Sequence, residues 1–415
     1  MLKKGILLLL IGFLSIPCLL AQVLSESTMG TQSVLPCEGA LTKDGVEMSL
    51  LTCSPGESVY ELYGHSALRV KWLDGSADWV VNYGVFDFSA PHFVWRFVLG
   101  QTDYTLDVCH YAGFCAAYYR EGRVVTEQVL NLSPIEEERI LQTIQSQMQQ
   151  PNWNYRYSFL YDNCTTRLIS LIENSVEGSV QWLSAEDGKR TFRDMLHEFA
   201  QTTSPWASLG QDLLLGEEVD MPLPAKYQMF SPVYAERFVT EAKIISADGD
   251  SVRQLVVSPA PTVQQQMGCA SHDKVNITLI AVMGIAVLWL AMSLWSLNKR
   301  RRWQWADCTM LLIQATVGVI IFILYFWSEH PAVGSNWLIL LFNPLPLVWL
   351  IYKLYQSYKG NYDDDSLVWL IEALVMICIF AWVPQQIPAE VYVLLLAMLV
   401  RGGVGMYLRK VGQRK

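Results

Sequence analysis

Five long apolar stretches in the last third of the chain constrain its fold more than any other feature. Each has about the 17–25 residues that a helix needs to cross the hydrocarbon core of a bilayer. Charged residues make up only 17% of the 415 residues, whereas soluble domains contain about 25%. The predicted spans are Asn276–Leu297, Met310–Trp327, Trp337–Tyr355, Leu367–Val383 and Val391–Leu408. A simple cytosolic enzyme is therefore excluded.

Basic residues predict the orientation of these spans. Lys and Arg cluster after the first, third and fifth spans, whereas the short loops Ser328–Asn336 and Pro384–Glu390 have none. Because short loops rich in Lys and Arg stay in the cytoplasm, the C-terminus is predicted to be cytoplasmic and residues 22–274 to be exported. The N-terminus agrees, since two lysines precede an apolar run ending at Ala21, as in a secretory signal peptide. An uncleaved anchor is the alternative.

The sequence divides into five predicted segments, and the exported part is strongly acidic. Residues 22–274 carry 17 Lys and Arg against 32 Asp and Glu. This balance argues against a nucleic-acid partner, because nucleic-acid-binding surfaces are basic. The segments are a signal peptide at 1–21, a loosely ordered lead-in at 22–47, an exported domain at 48–262, a linker at 263–274 and a transmembrane domain at 275–415.

Helix and strand signals alternate along the exported domain. Alternating apolar residues predict strands within residues 48–130. Ser133, Pro134 and Glu136 have the spacing of a capping box with proline at the first helical position. Further along, we predict a helix over residues 163–174, irregular chain over residues 201–233, and strand or loop over residues 234–262.

Two residues have the chemical character of a thiol enzyme. His65 follows Gly64 at the start of a predicted strand, and Cys164 lies in the first turn of a predicted helix capped by Asp162 or Asn163. A helix N-terminus stabilises an anion and so lowers the pKa of a thiol. Its free N–H groups can bind a developing oxyanion, and an imidazole can accept the thiol proton. Cys164 is therefore a candidate nucleophile and His65 its base.

Each of these residues also has an ordinary structural interpretation. His65 alone is compatible with a structural histidine. Exported cysteines are usually in disulfides, and Cys164 is one of six cysteines between residues 22 and 274. Their connectivity cannot be deduced from sequence, but two pairs are reasonable candidates: Cys109 with Cys115, and Cys37 with Cys53.

Four motifs, taken together, carry a family resemblance. They are Tyr63-Gly64-His65-Ser66-Ala67-Leu68-Arg69-Val70, Val81-Asn82-Tyr83-Gly84-Val85-Phe86-Asp87-Phe88, Phe97-Val98-Leu99-Gly100 and Tyr161-Asp162-Asn163-Cys164-Thr165-Thr166-Arg167. Over about residues 45–260 they resemble the Lnb lipoprotein N-acyltransferases, and the five-span tail fits that architecture. The resemblance implies transfer of a fatty acyl chain from a phospholipid to the α-amino group of a lipoprotein's N-terminal diacylglyceryl-cysteine. It also implies a thioester on Cys164, with His65 as base.

The same resemblance implies a fold and further site residues. A histidine on a strand before a cysteine on a helix is similar to the permuted papain-like folds of the NlpC/P60 group. We therefore expect an α+β, permuted papain-like exported domain followed by an all-α transmembrane domain of five helices. In such folds a polar residue on the strand after the histidine orients the imidazole. Asn82 has that position, and Asp87 and Asp162 are the other candidates. Four neighbours in the motifs are predicted to bind substrate: Tyr63, Arg69, Tyr161 and Asn163.

The expected partners are diacylated lipoproteins, a phospholipid acyl donor and the inner membrane. No cofactor is expected, since no cluster of His, Cys and Asp has metal-ligand spacing. Two alternatives remain open: a membrane-anchored cysteine hydrolase of the same fold, acting on peptidoglycan peptides or lipid esters, and a non-enzymatic membrane scaffold.

Polar groups within the predicted spans also carry expectations. Asn343-Pro344-Leu345-Pro346 is predicted to break the third span. Glu372 and Arg401 lie in the fourth and fifth spans, where ionisable groups usually pair or face a cavity. We predict that these two form a structural ion pair.

Overall fold

A computed structural model describes most of the chain. The described residues are 45–56, 61–87, 90–150, 153–182, 187–257, 276–300, 303–359 and 365–412. The predicted signal peptide, the linker at 263–274, and all but the end of the lead-in at 22–47 lie outside them. The chain forms two compact units. The first is Met1–Pro55, Gly64–Leu183 and Met229–Thr262; the second is Gly56–Tyr63, Ser184–Gln228 and Val263–Lys415.

The first unit is built on an antiparallel sheet with the strand order β5-β1-β2-β3-β4-β6. Its strands are β1 Val46–Cys53, β2 His65–Trp72, β3 Asp78–Val85, β4 Asp103–His110, β5 Val125–Val129 and β6 Tyr155–Arg156. A smaller antiparallel sheet contains β7 Ser179–Gln181, β8 Lys243–Ile245 and β9 Val252–Gln254. Strand β1 begins two residues before the predicted domain boundary at residue 48.

Among the described residues, five helices belong to this unit. They are α1 Phe93–Val98, α2 Tyr111–Arg120, α3 Pro134–Gln149, α4 Cys164–Ser175 and α8 Pro232–Glu241. The predicted start of α3 is confirmed, because the Ser133 hydroxyl accepts from the N–H of Glu136 and the Glu136 carboxylate accepts from the N–H of Ser133. The expected α+β class is thus confirmed.

An apolar stripe fixes the position of α4 on the sheet. Leu168, Ile169, Leu171 and Ile172 are all buried, and the helix packs against β2 and β3. Each such side chain contributes about 1.5–3 kcal/mol when fully buried. Because the stripe runs along the helix, this packing also determines where its first residue, Cys164, lies relative to β2.

The middle segment of the second unit, Ser184–Gln228, contains helices that were not predicted from the sequence. They are α5 Phe192–Thr203, α6 Pro205–Leu214 and α7 Ala225–Gln228. The prediction of irregular chain over residues 201–233 is therefore wrong, and residues 234–241 are helical in α8. Pro205 and Pro232 are the first residues of α6 and α8. At that position the missing N–H breaks no helical hydrogen bond, so these prolines start helices.

The apolar tail of the same unit is helical. Its helices are α9 Ile277–Lys299, α10 Gln304–Trp327, α11 Leu345–Tyr358, α12 Ser366–Phe380 and α13 Ala389–Gly412. In the part of the chain that the structure describes, four segments are long and apolar enough to cross a membrane: Ile277–Lys299, Gln304–Trp327, Trp337–Tyr358 and Ala389–Val411. The fourth predicted span is shorter, because α12 has 15 residues. At 1.5 Å per residue it covers about 22 Å, less than the roughly 30 Å hydrocarbon core.

The third span is interrupted near Pro344, as its Asn-Pro-Leu-Pro sequence predicted. A 3₁₀ turn at Trp337–Leu340 is followed by a break at Asn343 and Pro344, after which α11 begins. The Asn343 side chain accepts from the N–H of Leu345, the first residue of α11.

Arg401 pairs with a different carboxylate from the predicted one. Its Nε lies 2.9 Å from Oδ1 of Asp307 on α10, and both side chains are almost fully buried. Lys353 lies between Asp307 and Asp365, so two cations balance two anions. Glu372 instead accepts a 2.9 Å hydrogen bond from Gln314. The predicted Glu372–Arg401 pair is wrong because hydropathy gives depth in the membrane but not which neighbouring helix a side chain faces.

Residues around α6 are bonded to two of the membrane loops. The Asn336 amide donates to the carbonyl of Leu213 over 2.7 Å, and that of Gln385 to the carbonyl of Leu215 over 3.1 Å. The Gly216 N–H donates to the carbonyl of Ala332 over 2.8 Å. Within the second unit, these bonds join the segment around α6 to the two loops that lack Lys and Arg.

Candidate active site

Gly64 brings His65 to the start of β2. Gly64 has a φ of +82°, and a Cβ there would lie 2.5 Å from the carbonyl oxygen of Cys53. Only glycine tolerates both this left-handed conformation and the close approach of β1. His65 follows at once, half-buried and opposite Cys53 in the β1–β2 register.

Asn163 caps the helix that carries Cys164. Its side-chain oxygen accepts from the N–H groups of Thr165 and Thr166, and its amide donates to the carbonyls of Phe159 and Phe230 over 2.7 and 2.8 Å. Of the two predicted caps, Asp162 and Asn163, the helix thus uses Asn163. Its side-chain oxygen and amide are thus engaged within the protein, where they cap α4, and a contact of Asn163 with substrate stays a prediction.

Cys164, His65 and Asn82 come together at the first residue of α4. Cys164 is buried, and its thiol and the His65 imidazole are hydrogen-bonded to each other. The Nε2 of His65 lies 3.2 Å from Oδ1 of Asn82. Since Asn82 engages Nε2, Nδ1 is the ring nitrogen left for the thiol. The Asn82 amide also lies 3.5 Å from the sulfur of Cys109, which holds the amide with its oxygen toward the imidazole.

The surroundings lower the pKa of Cys164 and raise that of His65, which favours a thiolate–imidazolium pair. Burial raises the pKa of Cys164, but the charge and hydrogen bond of His65 and the bonds from Ser66 and Thr165 outweigh it and hold the pKa at about 7. Burial lowers the pKa of His65, whereas the neighbouring Cys164 and Asn82 raise it, and the net direction is upward. A thiolate beside an imidazolium is the reactive form of a cysteine nucleophile.

Two polar neighbours of the Cys164 sulfur, Ser66 and Thr165, were not among the predicted site residues. The backbone N–H of Ser66 bonds to the Cys164 sulfur. The Thr165 hydroxyl lies 3.8 Å from the same sulfur and donates to the Ser66 hydroxyl over 3.1 Å. Ser66 directly follows His65 in the chain, and Thr165 directly follows Cys164. This adjacency to the predicted catalytic residues is the one feature of the sequence that could have indicated them.

Arg69, which was predicted to bind substrate, has two carboxylate partners within the sheet, and its contact with substrate stays a prediction. Its guanidinium lies 2.6 Å from Asp78 and 2.8 Å from Glu127, and stacks 3.6 Å above the ring centre of Tyr111. Two carboxylates occupy its donors, so they join β2 to β3 and to β5.

The other two predicted substrate contacts lie in different surroundings. The Tyr63 hydroxyl is hydrogen-bonded to Gln211, and its ring contacts Phe199, both within the second unit. The Tyr161 N–H donates to the carbonyl of Ser158 in the turn that precedes α4. Of the weaker candidates for orienting the imidazole, Asp162 forms an ion pair with Arg167 over 2.6 Å, and Asp87 lies beyond the end of β3.

The cysteines near the site are free thiols. Cys109 and Cys115, a candidate disulfide pair, are both unpaired, and so is Cys53. The other candidate partner, Cys37, lies outside the described residues. Within the part of the chain that the structure describes, no group of three or more His, Cys, Asp or Glu could hold a metal ion.

Comparison with protein families agrees with this layout. Residues 38–198 match the model of the Lnb N-terminal periplasmic domain, and residues 276–412 match that of the Lnb transmembrane domain. The chain belongs to the Lnb family. The match to the Lnb periplasmic domain includes His65, Asn82 and Cys164, and the Lnb transmembrane match includes α9 to α13. No curated protein and no solved structure matches the chain.

The low pKa of Cys164 predicts how alkylation of this Lnb protein depends on pH. Since the thiolate is the reacting species, iodoacetamide should modify Cys164 with a midpoint near pH 7. In His65→Gln the stabilising charge is lost while burial still raises the pKa, so the midpoint should move upward. The rate at pH 7 should fall about 10-fold or more. Peptide mass spectrometry of the modified chain measures this rate, and an unmoved midpoint would exclude the His65–thiolate interaction.

Proposed function

We propose that this Lnb protein is a lipoprotein N-acyltransferase that carries a fatty acyl chain on Cys164. The observation that carries the proposal is the buried thiol at a helix N-terminus, hydrogen-bonded to an imidazole that Asn82 orients. Membership of the Lnb family supports an acyltransferase, and the transmembrane domain supports lipid substrates.

The reaction has two half-reactions with one intermediate. In the first, the Cys164 thiolate attacks an ester carbonyl of a phospholipid, a thioester forms, and lysophospholipid leaves with a proton from His65. In the second, the α-amino group of a diacylated lipoprotein attacks the thioester carbonyl. His65 takes a proton from the amine, and the thiolate of Cys164 is restored. The products are a triacylated lipoprotein and the starting enzyme.

A transmembrane domain suits such a reaction because both substrates are held in lipid. Exposing one CH2 group to water costs about 0.8 kcal/mol, so moving a 16-carbon chain through water would cost more than about 10 kcal/mol. An enzyme anchored in the same bilayer avoids this cost if its thiol meets the lipid ester at the membrane surface.

We place the reaction on the periplasmic side of the inner membrane, with the C-terminus in the cytoplasm. The matched Lnb periplasmic domain and the distribution of Lys and Arg support this orientation. The bonds from Asn336 and Gln385 to the segment around α6 add support. The segment around α6, which belongs to the predicted exported domain, is bonded to two loops that the sequence also predicts to lie outside.

A discharge experiment tests the proposal. The full-length protein, in detergent, is incubated with phospholipid alone and then analysed by intact mass and by peptide mapping. We expect an acyl group on Cys164 that hydroxylamine removes. A synthetic diacylated lipopeptide with a free N-terminal amine should remove the acyl group and become triacylated. The same lipopeptide with an acetylated amine is the matched control and should leave the acyl group in place.

Two results would contradict this function. Loss of the acyl group to water at the same rate with either lipopeptide would indicate a hydrolase. The absence of any acyl group on Cys164 would instead favour a non-enzymatic membrane protein.

A further inference from the structure

Gly84 keeps a small space open beside Cys164. It has a φ of +87° and lies at an irregularity in the pairing of β3 with β4. A Cβ on Gly84 would lie 3.6 Å from the Cβ of Cys164, 3.8 Å from the hydroxyl oxygen of Tyr155 and 3.5 Å from the ring of Tyr157. The space that the Cβ of any other residue would fill at position 84 therefore adjoins Cys164 and the Tyr155 hydroxyl.

The Tyr155 hydroxyl at this space has no hydrogen-bond partner. The residue is only 7% exposed, and its hydroxyl is among the buried polar atoms left unpaired in the described part of the chain. A buried donor without an acceptor is costly and rare in folded proteins. An acceptor that arrives with a ligand would satisfy it.

The surroundings of Tyr155 hold its ring in place. Strand β6 pairs Tyr155 with Tyr104 of β4. The guanidinium of Arg167 stacks 3.6 Å from the centre of the Tyr155 ring, and Asp162 anchors that guanidinium over 2.6 Å. Arg167 and Asp162, which both belong to the motif around Cys164, thus position Tyr155, which lies outside that motif.

The Tyr155 hydroxyl is suited to donate rather than to accept. Burial raises its pKa above the ordinary value, and the charge of the nearby Cys164 thiolate raises it further. The hydroxyl therefore keeps its proton at neutral pH, as a hydrogen-bond donor must.

The first residue of α4 supplies a second donor. The Asn163 cap accepts from the N–H groups of Thr165 and Thr166, which leaves the N–H of Cys164 for another acceptor. Uncapped N–H groups at a helix N-terminus favour negative charge. The N-terminus of α4 and a buried unpaired hydroxyl therefore both lie close to the nucleophile.

We propose that the Tyr155 hydroxyl and the Cys164 N–H form the oxyanion site for the carbonyl oxygen of the ester that Cys164 attacks. The inference deepens the proposed function and rests on it. As the carbon–sulfur bond forms, the π electron pair of the carbonyl moves onto its oxygen, which accepts both hydrogen bonds. Collapse re-forms the carbonyl and breaks the bond to the leaving oxygen, which takes a proton from His65. Tyr155 keeps its own proton and is a catalytic residue because it touches the reacting oxygen.

A chromogenic ester tests the oxyanion site without the natural substrates. The full chain in detergent reacts with the p-nitrophenyl ester of a medium-chain fatty acid, and the burst of nitrophenolate reports acylation of Cys164. We expect Tyr155→Phe to slow the burst about 100-fold, the usual effect of losing one oxyanion donor. Alkylation of Cys164 by iodoacetamide creates no oxyanion, so its rate should stay within about twofold of wild type.

Tyr83→Phe is the matched control. It removes a hydroxyl from a buried tyrosine on the same sheet, but that hydroxyl donates to Gln147 over 2.6 Å. Its burst should stay within about threefold of wild type, because the oxyanion donors are intact.

The outcomes separate the two proposals. An unchanged burst in Tyr155→Phe would overturn the oxyanion assignment. An equal fall in burst and alkylation would also overturn it, since Tyr155 would then act through the thiolate or the fold. A Tyr155-dependent burst without any transfer to lipopeptide would keep the oxyanion site and refute the acyltransferase. A wild-type chain with no burst that depends on Cys164 would refute both.

Discussion

Cys164→Ser is expected to lower the rate of lipopeptide N-acylation about 10⁴-fold or more. Loss of a catalytic nucleophile removes the covalent route, and what remains is the weak catalysis from binding alone. An alcohol at this position cannot replace the thiol, because its pKa is far too high for His65 to hold it as an anion. The rate is measured by mass spectrometry of the triacylated product, with phospholipid and diacylated lipopeptide as substrates.

The structure supplies a matched control for this substitution. Cys115 is a half-buried free thiol in α2 of the same unit. Cys115→Ser makes the same chemical change away from the helix N-terminus, so it should keep the rate within about threefold. The Asn163 cap and the apolar stripe of α4 are unaffected in Cys164→Ser, so the variant should unfold at nearly the wild-type temperature. If Cys164→Ser kept a tenth or more of the activity, the nucleophile would have to lie elsewhere.

His65→Ala should have the second largest effect, a fall of about 10³-fold at pH 7. General acid–base catalysis contributes about 10²–10⁴-fold, and in this protein the imidazole also holds the pKa of Cys164 down. The loss should become smaller as the pH rises, because hydroxide then generates the thiolate without the histidine. A rate–pH profile of the variant and the wild type measures both effects.

Two further variants define the role of the imidazole. Asn82→Ala leaves His65 in place but removes the amide oxygen 3.2 Å from Nε2, so it should cost less, about 10²-fold, through misorientation. His110→Ala is the control, because His110 is an exposed histidine of β4 whose ring stacks on Trp79. It should keep nearly full activity. Equal losses in His110→Ala and His65→Ala would contradict a specific role for His65.

The residues of the site were largely predictable because local rules place them. Gly64, where the backbone turns, directly precedes His65, and the capping residue Asn163 directly precedes Cys164. His65 is therefore the first residue of a strand, and Cys164 is the first residue of a helix. The alternation of β2 and the apolar stripe of α4 then indicate which faces are buried. Asn82 was harder to predict, since its place beside the imidazole depends on the register between β2 and β3.

Other features of the structure could not be predicted, because they depend on how separate elements of the chain pack together. Arg69 was predicted to bind substrate, but two carboxylates already engage its guanidinium: Asp78 on the neighbouring strand β3, and Glu127 on β5, which lies beyond β1. Arg401 was paired with the wrong carboxylate, because the rotation of each helix about its axis depends on packing. Tyr155 cannot be identified from sequence, because nothing in its local sequence indicates an unpaired hydroxyl beside Cys164.

The sequence by itself determined the division into an acidic exported part and an apolar helical tail, and it named the thiol and the imidazole. Those features follow from hydropathy, charge and capping, which act over a few neighbouring residues. Only the tertiary structure decided which carboxylates neutralise Arg69 and Arg401, and which hydroxyl faces the space at Gly84. Such contacts join residues from 9 to 94 positions apart, and their geometry is settled by strand register and helix packing together.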